Sequence, residues 1–170
     1  GIAKTVRDIT LQKQAEDQVH SLNQTLEEQV MERTTELEQA KRTLRTVFDA
    51  LPSMIGYWDR QLVNLVANKA YFEWFGIKAE SIPGKKIQDV LGHDLFEKNR
   101  PYIEKVLTGE PQVFELEILT LNGELKHSLA HYLPDWIDGV VNGFFVIVHD
   151  VTDMVNSRTE TANALNKNRL

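Results

Sequence analysis

The chain of 170 residues contains no cysteine. That excludes disulfides, thiolate catalysis, cysteine-ligated zinc or iron–sulfur clusters and cysteine-based photochemistry together. No apolar run approaches the roughly 20 residues that a membrane-spanning helix needs. The polar N-terminus has no apolar signal-peptide core. Direct membrane contact is not expected, and a cytoplasmic setting is. Excess positive charge is lacking too: the net is −6, and Lys and Arg are spread along the chain. Nucleic acid is therefore not an expected partner.

Glycine and proline are missing from residues 11–48, which are rich in Gln, Glu, Leu, Lys and Thr. That composition suits one long helix. Apolar residues recur as Ala15, Val19, Leu22 and Leu26, then resume after Val30 as Leu37, Ala40, Leu44, Val47 and Leu51. This is a heptad-like seam. The step from Leu26 to Val30 breaks its register, as a four-residue stutter would. So narrow a stripe calls for a partner helix, most simply its own copy in a parallel homodimeric coiled coil.

The texture changes at Leu51, and all five prolines and eight of the nine glycines lie beyond it. Residues 54–59 and 62–66 read as strands around a polar turn. Asn68 is placed to cap a helix over 69–75 that Gly76 ends. Pro83-Gly84 is a turn, and 94–107 reads as a longer helix. Strands follow at 113–121, 125–133 and 140–148. Asn122-Gly123 is the strongest hairpin signal between them. Helix resumes after Asp150. The predicted fold is α+β: a five-stranded antiparallel sheet with helices on one face, preceded by a long coiled-coil helix.

Gly1, Val6, Asp8 and Thr10 recur at the same offsets as Gly143, Val148, Asp150 and Thr152. Each set precedes a polar helix-forming stretch. Residues 1–10 are accordingly expected to be the last-strand remnant of an upstream domain. Residues 11–48 would be the coiled-coil helix, 49–153 the folded domain, and 154–170 the start of an outgoing linker helix.

These residues together resemble the PAS family. The Trp58-Asp59 strand end fits its opening hairpin, and the stretch from Asn68 to Gly76 fits its N-x-A…(F/W)-G helix. Gly84 to Leu91 fits its third short helix. Gly143 and Phe144, followed by Asp150, Val151 and Thr152, fit its last strand and D-[IV]-T exit. Residues 11–44, with Glu32-Arg33-Thr34 beside the register break, resemble the helix that joins such domains in diguanylate cyclases and sensor histidine kinases. The resemblance implies a pocket between sheet and helices for a small-molecule ligand, with Tyr57, Phe72, Phe75, His127, His131 and Phe145 as candidate lining. It implies signal exit through Asp150, Val151 and Thr152. Asp150 would pair with a cation or indole, and Thr152 or Asp153 would cap the next helix. The alternative is a ligand-free domain that only dimerises and relays.

The chemistry weighed beside this is negative. His127 and His131 stand about 13 Å apart on a strand, too far to share a metal. His93 has a position that some haem-binding relatives use, but it reads as a turn residue. Neither haem nor flavin is expected. His20 lacks the acidic residue and proline that follow a kinase phospho-acceptor. No phosphate-cradling loop or general acid/base pair is visible, so no enzymatic activity is expected.

Overall fold

A computed structural model describes residues 1–167, which divide into two compact units, residues 1–46 and Val47 onward. The linker residues 168–170 lie outside the described part.

The first unit is helical. Helix α1 (Ile2–Ala50) is continuous, and none of its residues is buried. Most of its threonines, poor helix formers in isolation, turn Oγ1 onto the carbonyl four residues back, as Thr10 does to Val6 and Thr34 to Val30. The seam residues Val19, Leu22, Leu26, Val30, Leu37 and Leu44 are all exposed. Residues 2–10 correct the expected strand: they are helical. No strand offers them a ladder among the described residues, and a helix satisfies their N–H and C=O groups internally.

The second unit begins with the last residues of α1. Its elements are β1 (Met54–Asp59), β2 (Asn64–Ala67), α2 (Tyr71–Phe75), a 3₁₀ turn (Ala79–Ser81), α3 (Ile87–Leu91), α4 (His93–Leu107), β3 (Gln112–Leu119), β4 (Leu125–Ile137), β5 (Val140–Asp150) and α5 (Thr152–Lys167). The strands form one sheet in the order β2-β1-β5-β4-β3, with every neighbouring pair antiparallel. The α+β class predicted above is what is observed.

Local chemistry sets the turns. Asp59 Oδ1 accepts the N–H groups of Gln61 and Val63 and so closes the β1–β2 turn. Gly76 takes φ 67° and ends α2. The two hairpins differ in their turns. At the β3–β4 connection only Gly123 has positive φ, at 78°, in a wider loop that Thr120 closes through Glu124. At β4–β5 both Asp138 (φ 50°) and Gly139 (φ 77°) are left-handed. That is the tight two-residue turn, which keeps the strands paired to their tips.

One face of the sheet carries the core. Met54, Trp58, Phe114, Ile118, Ala130, Tyr132, Phe144, Val146 and Val148 project towards α2, α3 and α4. An aromatic ladder crosses it: Tyr102 stacks on Phe114 at 3.7 Å, Phe114 meets Tyr132 edge-on at 5.0 Å, and Tyr132 leans on Phe144 at 5.3 Å. Trp58, Trp74, Tyr71 and Phe144 are almost wholly buried. Such side chains contribute about 1.5–3 kcal/mol each when fully buried.

Asn68 corrects a second expectation. Helix α2 has Ala70 at its N-cap position, without a side-chain cap. The Asn68 side chain, fully buried, clamps the chain where α1 ends. Its Nδ2 donates to the carbonyls of Phe48 (3.1 Å) and Ser53 (2.8 Å), and its Oδ1 accepts the Ile55 N–H at 2.9 Å. Asp49 Oδ1 accepts the Lys69 N–H nearby. A helix end leaves carbonyls without intrahelical partners, and one of them was the stronger claim on this amide.

Candidate functional site at the two ends of the sheet

The core between sheet and helices is nearly closed. It encloses a void of about 20 Å³ bounded by Trp58, Tyr71, Phe75, Asn99, Ser128 and Tyr132 among others. A space of this size holds about one water. Its polar groups are already engaged. The Tyr132 hydroxyl donates to Asn99 Oδ1, Asn99 Nδ2 donates to the Leu95 carbonyl and Ser128 Oγ donates to the Leu116 carbonyl, each at 2.7 Å. Burial, together with the neighbouring Tyr71, raises the Tyr132 phenol far above its ordinary range, and burial does the same to Tyr71. Both stay neutral.

Of the six side chains expected to line a pocket, Phe75 borders this void. Tyr57, His127, His131 and Phe145 lie on the opposite face of the sheet, and Phe72 is exposed. The buried register of β4 is Ser128, Ala130 and Tyr132, so the histidines fall on the other parity. Both parities carry apolar residues, which left the inner face undetermined by alternation. Tyr57 meets Phe145 edge-on at 4.8 Å and donates to Asp135 Oδ2 at 2.7 Å. Burial first, then the Asp135 carboxylate, push its phenol up to about 12. His127 Nδ1 is 3.6 Å from Glu117 Oε1, and the rings of His131 and His149 meet at 5.6 Å. His93 is exposed at the first position of α4. Among the described residues no three His, Asp or Glu side chains converge as a metal site would require. No described helix is long and apolar enough to cross a membrane.

The exit from β5 is the most constructed part of the surface. Asp150 Oδ1 accepts both the N–H (3.0 Å) and the hydroxyl of Thr152, and Oδ2 meets Lys126 Nζ at 3.0 Å. Lys126 also lies over the indole of Trp74 at 5.2 Å. The cation and the indole expected near Asp150 are thus both present, with the lysine between them. The capping roles differ from expectation. Asp150 covers the first N–H of α5, while Thr152 Oγ1 reaches across to accept the His127 N–H of β4 at 3.0 Å. Val151 N donates to the His127 carbonyl at 2.9 Å, so the start of α5 is stitched to β4 on both sides of the motif.

Partial burial raises the Asp150 carboxyl. The Thr152 hydroxyl and N–H and the Lys126 ammonium outweigh it and hold the group below its ordinary value. Hydrogen bonding to Asp150 raises Lys126. Lys126 was not singled out in the sequence. The signal was its parity: it shares the β4 register of Ser128, Ala130 and Tyr132, where a lysine must find a partner.

The same arrangement of strands and helices recurs in known proteins. A PAS domain of an HTR-like protein from Haloarcula marismortui is 22% identical, with a TM-score of 0.56 over 70% of this chain and 98% of that one. The PAS domain of Bordetella pertussis BvgS gives 22%, 0.55, 76% and 98%. A PAS domain from Colwellia psychrerythraea gives 17%, 0.54, 67% and 98%. A Vibrio cholerae VqmA structure, solved with ligand and DNA, gives 23%, 0.55, 76% and 59%. At these identities the likeness is one of fold. A comparison with curated proteins finds no match. The family model described as the PAS fold matches residues 48–156, well over half of the chain. By that match the chain belongs to the PAS family, the sensory modules of signalling proteins.

Proposed function

We propose that this chain is a non-catalytic relay module of a multidomain signalling protein in the cytoplasm. It dimerises through α1 as a parallel coiled coil. It passes conformational changes from the end of α1, through the sheet, into α5 and a downstream output domain such as a histidine kinase or diguanylate cyclase. One observation carries the reading. The exit residues Asp150 and Thr152 are tied to β4 and, through Lys126, to Trp74 of α2, so a shift in the sheet or in α2 moves the root of α5. The exposed seam of α1 supports the dimer, because a second copy removes its apolar stripe from water.

Small-molecule sensing is the second reading. The void faced by Asn99, Ser128 and Tyr132 speaks for it, and its volume of about 20 Å³ speaks against it. Native mass spectrometry of the freshly purified chain separates the two. The relay reading expects the mass of two bare chains. A stoichiometric adduct converts the module to a ligand sensor, and a monomer at tens of micromolar removes the dimer.

A further inference from the structure

Ser53 and His149 are 96 residues apart in sequence, yet Ser53 Oγ lies 2.7 Å from His149 Nδ1. The ladder puts them there. Met54 pairs with Val148, so in an antiparallel register the preceding Ser53 falls opposite His149. Both point to the sheet face away from the core, where the His131 ring stands edge-on to His149 at 5.6 Å.

Each partner belongs to a different junction. The Ser53 carbonyl is held by Asn68 Nδ2, the same amide that holds the Phe48 carbonyl at the end of α1. His149 immediately precedes Asp150, which anchors the first turn of α5. We propose that the Ser53–His149 contact couples the entry junction directly to the exit junction, so that displacement of the last turn of α1 reaches the first turn of α5 along the outer face of the sheet, without repacking the core. Phe48, Asn68, Ser53, His149 and Asp150 then form one continuous series of contacts and peptide bonds. The closed core is consistent with this route, since a signal that bypasses the interior needs no cavity. The contact lies inside the domain, so the coupling does not depend on which output is attached.

Amide hydrogen exchange by NMR on this chain tests it. The Ile55 amide, bound to Asn68 Oδ1, reports the entry. The Thr152 and Val155 amides, bound to Asp150 Oδ1 and the Val151 carbonyl, report the exit. Coupling is reciprocal, so Ser53→Ala is expected to speed exchange at Thr152 and Val155 about fivefold, and His149→Gln to speed Ile55 by a similar factor. The double variant should do no more than the larger single change, and Ser53→Thr, which keeps the hydroxyl, should restore the exit amides. Three results would each overturn the proposal: each substitution loosening only its own junction, additive effects in the double variant, or an equal rise in the β3 amides, which marks general destabilisation. Should Ser53→Ala not fold, His149→Gln read at Ile55 decides alone.

Discussion

Lys126 Nζ stands 3.0 Å from Asp150 Oδ2, joining the start of β4 to the residue that roots the outgoing helix. The pair gives the exit a pH profile whose sign follows from the two shifts. The Asp150 carboxyl titrates below its ordinary 3.8 in the folded chain, so its contribution is present above that value and is lost as pH falls through the lowered one. Lys126 titrates above its ordinary 10.5, so its contribution is complete below that value and is lost as pH rises through the raised one. Thermal melts across the acid and alkaline limbs should show a plateau between them, and Asp150→Asn should flatten the acid limb. The carboxylate is partly exposed, so the plateau loss should be small, about 0.2–1 kcal/mol. An acid limb unchanged in the variant would remove Asp150 from this role.

Asn68→Ala should be far more costly. It deletes the three hydrogen bonds of a fully buried side chain and takes that partner from the Phe48 and Ser53 carbonyls and the Ile55 N–H. Unsatisfied buried groups cost about 1–3 kcal/mol each before relaxation and water entry, so a net loss of about 2–4 kcal/mol is expected in chemical denaturation. Asn68→Asp keeps the acceptor for Ile55 but loses both donors, and should recover little. A loss within 0.5 kcal/mol, on the order of an ordinary surface change, would mean the clamp is not needed.

Leu22→Asp combined with Leu37→Asp should leave the chain monomeric by light scattering, with the residues beyond Val47 still folded. Both leucines are exposed in the single chain, at 60% and 70%, so the substitutions remove no contact of the fold itself. They place charge in a seam that only a second helix covers. A dimer of unchanged mass would show that association uses another surface.

Gly143→Ala should destabilise the sheet by crowding its paired strand. A Cβ there would sit 2.3 Å from the Trp58 carbonyl oxygen and 2.6 Å from the Tyr57 hydroxyl. The first is main chain in the paired strand and cannot turn aside, so a cost of about 1–3 kcal/mol is expected, read as a lower urea midpoint. A midpoint equal to that of the unchanged chain would mean that β1 and β5 part more readily than their register implies.

The matching glycine at position 1 marks how far local reading goes. Gly1 and Gly143 open the same ten-residue pattern, yet residues 2–10 are helical and Phe144 onward is strand. A strand is completed by its neighbours, and only the second copy has β1 and β4 beside it. Asn68 shows the same limit: its type and position suit an N-cap, but a helix end distant in sequence engages it instead.

Periodicity and turn chemistry are carried by neighbours in the chain. From them alone came the long helix over 11–48, the order of the elements along the chain, the antiparallel class of the sheet and the stop at Gly76; the importance of Asp150 and Thr152 came from the resemblance to the family. Which face of β4 is the interior, which lysine reaches Asp150 and which serine meets His149 depend on residues brought together from far along the chain. Those were settled only when the strands paired and the helices chose a side, because alternation by itself assigns two faces without saying which will be covered.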